Sequence, residues 1–324
     1  MNQQPVKRNH HYVAQFHLAG FTKKETKEST FFVFDTMTGD QKELKPKRVA
    51  FSKDLYRVEL PDTPPDAIED VFMDLESKTA PVIRTLCETL RMPSGDDYNY
   101  LMNYIALLAV RTPSYKQTSS AMMEEIAKIT MRMAFSTEER FEIVKKQMAA
   151  EGKEVPPLHY ETFRNFLDEE RYNIAFDNNT HVNNLLESMD AVLHPLGARY
   201  WTIVYSPNQL GDFICSDHPV SLHWATGRDR GIFSSPGHGM LDTEVTVPLT
   251  SRVLLLGQFE PILPEVITLT SRLMLAILNS WSSEQSRFIY SRKEDFVWYS
   301  REEKIANMAD FRRLIAENRK RMDR

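Results

Sequence analysis

Tyr200-Trp201-Thr202-Ile203-Val204-Tyr205 is a run of six residues that are all aromatic or β-branched, followed by Ser206-Pro207-Asn208. Such side chains suit a pleated surface and are stiff in a helix, so the run predicts a β-strand closed by turn residues. Phe213-Ile214-Cys215, Glu244-Val245-Thr246-Val247 and Val253-Leu254-Leu255-Leu256 repeat the pattern downstream. Residues 199–257 are therefore expected to form an antiparallel sheet, with residues 227–239, which include Gly231, Pro236 and Gly237, as a loop between strands.

Upstream of Ala198 the period is different. From Asp66 to about Ala191 apolar residues recur at intervals of three and four, as in Ile68, Val71, Phe72, Leu75, Val82, Ile83 and Leu86. That spacing predicts a bundle of five or six helices over residues 66–193, the first capped by Asp66. Residues 1–62 contain a further strand, Thr30-Phe31-Phe32-Val33-Phe34-Asp35, with a turn at Met37-Thr38-Gly39-Asp40 and possible partners at 49–51 and 56–60. Glu265 to Trp281 and Arg301 onward return to helix, the last carrying Arg312, Arg313, Arg319, Lys320, Arg321 and Arg324. The expectation is an α+β fold, a helical bundle on a mainly antiparallel sheet with a small N-terminal β region, all in one domain spanning 1–324.

Composition excludes several classes. A chain of 324 residues with 42% hydrophobic and 26% charged content is that of an ordinary globular protein rather than a disordered one. A net charge of −5 argues against wholesale coating of nucleic acid, although the basic C-terminal helix could still contact phosphates. No apolar stretch approaches the roughly 20 residues needed to cross a bilayer, so no membrane partner is expected and the cytoplasm is the expected location. Cys87 and Cys215 have no metal-ligand spacing and read as free thiols, and the 11 glycines include no phosphate-binding loop.

The densest chemistry lies near the start, in His10-His11-Tyr12-Val13-Ala14-Gln15-Phe16-His17-Leu18. If this segment is helical, His11 and Gln15 share one face, and an imidazole there can act as acid or base. His10 and His17 read as surface residues. On the helix from Asp66, Glu69 and Glu76 are seven apart and stack on one face, where they could hold a divalent metal such as Mg if a third ligand arrived from elsewhere. Solvation of that face is the plainer account. Arg111 ends an apolar helix, and a buried guanidinium there needs a carboxylate or phosphate, Glu69 and Glu76 being the obvious partners. Asp217, in Ser216-Asp217-His218-Pro219, follows a strand and could either face a pocket or stabilise its own turn.

The same residues carry a resemblance. His11, Val13, Gln15, Leu18 and Phe21, then Ile68-Glu69 through Glu76, Arg111-Thr112-Pro113, Ser216 to Val220 and Pro248-Leu249 resemble the family of unknown function DUF4238 over nearly the full chain. Ala14 departs from it, standing where the family has proline, and His218 stands where the family has asparagine. The resemblance implies no activity.

Histidine, carboxylates and arginine without a nucleophilic serine or cysteine fit hydrolysis or transfer at a phosphoryl centre. The expectation is a nuclease-like hydrolase of the kind used in bacterial defence, with His11, Gln15, Arg111 and Asp217 as catalytic groups and Glu69 and Glu76 at the metal. The alternative is a non-enzymatic module that binds a ligand, a protein partner or a second copy of itself, its polar residues forming a structural network.

Overall fold

The computed structural model describes residues 7–155, 157–225, 235–284, 286–300 and 304–322, with side chains as far as residue 316. The chain begins with β1 (Asn9–His11), α1 (Gln15–Ala19), β2 (Phe31–Asp35), β3 (Gln41–Leu44) and β4 (Phe51–Lys53). Strand β4 pairs antiparallel with β1, and β3 pairs with β2 through the expected turn at Gly39. The histidine segment is thus a strand, a bend and one short helix rather than the continuous helix that the His11–Gln15 spacing suggested. The anticipated pairing of 49–51 and 56–60 with β2 does not occur, because β3 occupies that edge. Ala14 has φ −60° and ψ 141°, a backbone that proline would also adopt, so the alanine keeps the geometry that the ring would impose.

Six helices follow: α2 (Ala67–Thr89), α3 (Gly95–Val110), α4 (Pro113–Ala134), α5 (Glu138–Ala150), α6 (Tyr160–Asp168) and α7 (Asn178–Gly197). Residues 101 and 102 and 104 through 110 of α3 are all buried, so this helix is apolar nearly all round and forms the centre of the bundle between α2 and α7. Asp66 does not cap α2 with its side chain; its carboxylate instead accepts the backbone N–H of Lys7.

Beyond α7 lie β5 (Tyr200–Tyr205), β6 (Cys215–Ser216), β7 (Ser221–Trp224), β8 (Thr243–Pro248), β9 (Val253–Gln258) and β10 (Val266–Thr268). They are followed by α8 (Arg272–Ser283), β11 (Phe288–Ser291), β12 (Trp298–Tyr299), β13 (Ile305–Ala306) and α9 (Met308–Met322). One sheet has the order β10-β5-β9-β8-β7, antiparallel except for the parallel pair β10–β5; a second has the order β3-β2-β11-β6. The opening run is therefore the second strand of an antiparallel-rich sheet, and the fold is α+β. Trp201 lies opposite Gly257 in the register, and a Cβ on Gly257 would sit 2.9 Å from the indole ring, so only glycine fits there.

Two downstream expectations are corrected. The helix foreseen from Glu265 begins only at Arg272, because Val266-Ile267-Thr268 adds to β5 as an edge strand. Phe213 and Ile214 are buried but not in a strand, and Cys215 and Ser216 join the second sheet beside β11, so the expected run is split between structures. Residues 226–234 lie outside the described residues, and with them most of the expected loop. One apolar core joins the N-terminal segment, α2, α3, α7 and the inner faces of both sheets.

Candidate functional site

Arg111 is the residue just past α3, and it is 1% exposed. Its Nη1 donates to Glu76 Oε1 at 2.7 Å, and its Nε donates to the carbonyl of Tyr12 at 2.8 Å. Its own carbonyl accepts the Tyr56 hydroxyl at 2.6 Å. The ring of Tyr104 lies 5.9 Å from the guanidinium carbon. Burial acts to lower the guanidinium's proton affinity, but Glu76 and the adjacent tyrosines outweigh it, so the group stays charged. Its Nη2 is buried without a hydrogen-bond partner.

Around this cation the fold gathers most of the residues that the sequence singled out. Glu69 and Glu76 project from one face of α2. Burial pushes the Glu69 carboxyl up to about 7, Arg111 opposing the shift and Glu76 adding to it. His11 comes from β1, and the Gln15 amide on α1 lies 3.1 Å from its Nε2, so the pair meets although the segment is not one helix. If the amide donates, the His11 proton sits on Nδ1, which faces the Val49 and Ala50 carbonyls without a well-formed hydrogen bond. Burial holds His11 below the ordinary imidazole value, Glu76 and Arg111 pulling in opposite directions.

Asp217 is not part of this cluster. It lies at the end of β6, where Oδ1 accepts the Arg287 N–H at 3.1 Å and its own N–H donates to Phe288. Burial pushes its carboxyl up to about 6, with the backbone N–H groups at Phe288 and Arg287 opposing. Its electrostatic link to the cluster runs through Tyr12, whose phenol feels Asp217 while its carbonyl holds Arg111. The neighbouring His218 does reach toward Arg111, its Nδ1 lying 3.2 Å from the hydroxyl of Thr112, which caps α4.

His10 and His17 are each 1% exposed, which corrects their reading as surface residues. His10 stacks on Tyr56, accepts the Tyr56 N–H at 2.9 Å on Nδ1 and faces the Lys7 carbonyl at 3.0 Å through Nε2. Both of its nitrogens are thus used in holding the segment down. His17 packs between Phe21 and Tyr104, and burial lowers its pKa to about 4, so it is neutral.

Tyr12, Tyr56 and Tyr104 complete the network and were not foreseen in it. Tyr12 sits inside the histidine run and could have been noticed there, but nothing local marks Tyr56. A second buried cation, Arg199, also went unnoticed in the sequence; it donates to the Thr243, Gly257 and His238 carbonyls. Among the described residues no three His, Cys, Asp or Glu side chains are grouped to hold a metal ion, so Glu69 and Glu76 lack the third protein ligand that the metal reading required.

The family model described as "Protein of unknown function (DUF4238)" matches residues 9–295. The chain belongs to this family. The match covers every residue of the Arg111 cluster as well as Asp217. Among curated proteins and among solved structures nothing matches.

Proposed function

We propose that the cluster around Arg111 is an acid–base site acting at a phosphoryl or similarly anionic centre. The observation that carries this reading is that a carboxyl pushed up to about 7, Glu69, and a neutral imidazole, His11, both feel the same buried guanidinium, Arg111, and its partner Glu76. At neutral pH such a carboxyl is near half-protonated and can give a proton, while a neutral imidazole can take one. The unpartnered Nη2 of Arg111 suits an anionic oxygen. A divalent cation at Glu69 and Glu76 would draw its other ligands from phosphate oxygens and water, the usual manner of Mg2+. Nucleic acid as substrate, contact through α9 and a role in bacterial defence are the finer form of the proposal.

The test is hydrolysis of bis-p-nitrophenyl phosphate, p-nitrophenyl phosphate, DNA and RNA, each with Mg2+ and with EDTA. His11→Ala and Glu69→Gln should lower the rate by about 10²-fold or more without loss of thermal stability. Asp217→Asn, away from the cluster, should keep it. Wild-type protein without hydrolysis of any of the four, or variants as fast as wild type, would overturn the reading.

Two observations favour a second reading, a non-enzymatic interaction module. The cavity that Arg111 lines with Tyr56, Thr112 and Lys116 holds only about 20 Å³, room for a water molecule rather than a substrate. On α4, Met122, Ile126, Ile129 and Met133 fall at helical spacing on one face and are 52% to 64% exposed. Under this reading Ile126→Glu abolishes self-association seen by light scattering, and Arg111→Ala lowers stability without changing any activity.

A further inference from the structure

A cavity of about 340 Å³ opens where the β1–β4 pair meets the β3-β2-β11-β6 sheet. Its size falls at the low end of the roughly 300–1,000 Å³ typical of small-molecule sites. Val33, Leu44, Val49 and Phe288 and the rings of Tyr12 and Tyr290 make most of its wall, which is predominantly apolar. Such a wall excludes water and favours a flat hydrocarbon or heteroaromatic ring.

Two features give the cavity polarity at defined places. Tyr290 is wholly buried, and its hydroxyl lies near that of Tyr12 without a well-formed hydrogen bond. Its proton is directed toward the Tyr12 oxygen, so the polar spot on the inner wall is the Tyr12–Tyr290 hydroxyl pair. At the mouth stand Lys42 and Arg48, both exposed and without a carboxylate partner among the described residues. Asp40 and Asp35 also line the mouth, but the Asp35 carboxylate already accepts the Met37 and Thr38 N–H groups and pairs with Arg287. Counting Arg287, three cations meet two carboxylates, and the two free cations face solvent at the opening. Ala50, in the wall, is held at φ +52°, a left-handed conformation that a non-glycine residue adopts at some cost.

We propose that this cavity binds a small molecule made of a flat apolar ring and an anionic group, with the ring between Tyr12, Val33 and Tyr290 and the anion at Lys42 and Arg48. The site is separate from the Arg111 cluster and does not depend on the function proposed for it. Tyr12 adjoins both, with its ring in the cavity wall and its carbonyl on Arg111.

The experiment is calorimetric or fluorescence titration of the full chain with 2-naphthoate, indole-3-carboxylate and phenyl phosphate, alongside the uncharged 2-naphthalenemethanol. Wild type should bind at least one of the three anions, and Val33→Phe, which fills the cavity, should weaken that binding about tenfold or more. Because a buried substitution can disturb folding, the exposed pair Lys42→Gln and Arg48→Gln supplies a second arm. It should weaken the anion about fivefold to tenfold and leave the uncharged alcohol unchanged. Carboxylate and phosphate preferences are read from the same titrations. No binding of any anion up to about 1 mM, or binding that neither Val33→Phe nor the double variant alters, would overturn the assignment.

Discussion

Glu69 is a carboxyl kept partly protonated by its surroundings, and its cost to the fold depends on pH. Its folded pKa of about 7 stands above the ordinary 4.5, so the folded state binds more protons than the unfolded one between those values. The contribution of the group to stability is full below about 4.5 and is lost as pH rises through 7. Glu69→Gln, which cannot ionise, should therefore flatten the pH dependence between about 5 and 8 and gain about 1–3 kcal/mol on wild type at pH 8. Urea unfolding at several pH values measures this. An unchanged slope would mean that Glu69 is solvated and has no part in the acid–base pair. At this scale the sequence was legible where chemistry is local. Arg111 had to find a carboxylate, and Glu76, one of two named, is the one it bonds. The burial of His10 was not legible, because the N–H that bonds its Nδ1 belongs to Tyr56, 46 residues away.

Elements were most legible where their period was long and uninterrupted. α3 could not be anything but a buried helix, and β5 could not be anything but a strand. The misreadings fall where a short apolar segment has two possible homes. Val266-Ile267-Thr268 continues the spacing of the helix after it, but its β-branched side chains find an edge beside β5, and only the tertiary fold offers that edge. α9 was read from its charges, as a surface for phosphate. Arg319, Lys320, Arg321 and Arg324 lie outside the residues whose side chains are described, while Phe311 packs edge-on against Phe34 and Trp298 at ring separations of 5.3 and 4.8 Å. Arg312 bonds Gln41 from an exposed position. Apolar docking therefore outweighs the exposed bond: Phe311→Ala should cost about 1–3 kcal/mol in chemical unfolding and Arg312→Ala under about 0.5 kcal/mol. A reversed order would show that α9 is held by its polar contacts, contrary to its packing.

At the scale of the molecule, the core that joins helices to sheet predicts one cooperative unit, and the placement of the tryptophans allows that to be tested. All four, Trp201, Trp224, Trp281 and Trp298, lie after residue 198, so their fluorescence reports the sheet half, whereas helical circular dichroism comes mostly from α2 to α7. Leu107 is wholly buried at the centre of α3 and belongs to the same core as Ile203, Leu255 and Val247 of the sheet. Truncating such a side chain costs about 2–5 kcal/mol, from lost transfer energy and the cavity left behind. If helices and sheet unfold together, Leu107→Ala should move the tryptophan transition and the dichroism transition by the same amount, and the two should coincide in wild type. The Arg111 cluster makes this coupling tighter, since Tyr12 ties the segment preceding β2 to the end of α3, and His218 ties β6 to the start of α4. A dichroism transition that shifts while the fluorescence midpoint stays in place would divide the chain near residue 198. The helical bundle would then be a unit that folds without the sheet, and the cluster would be a joint between two domains.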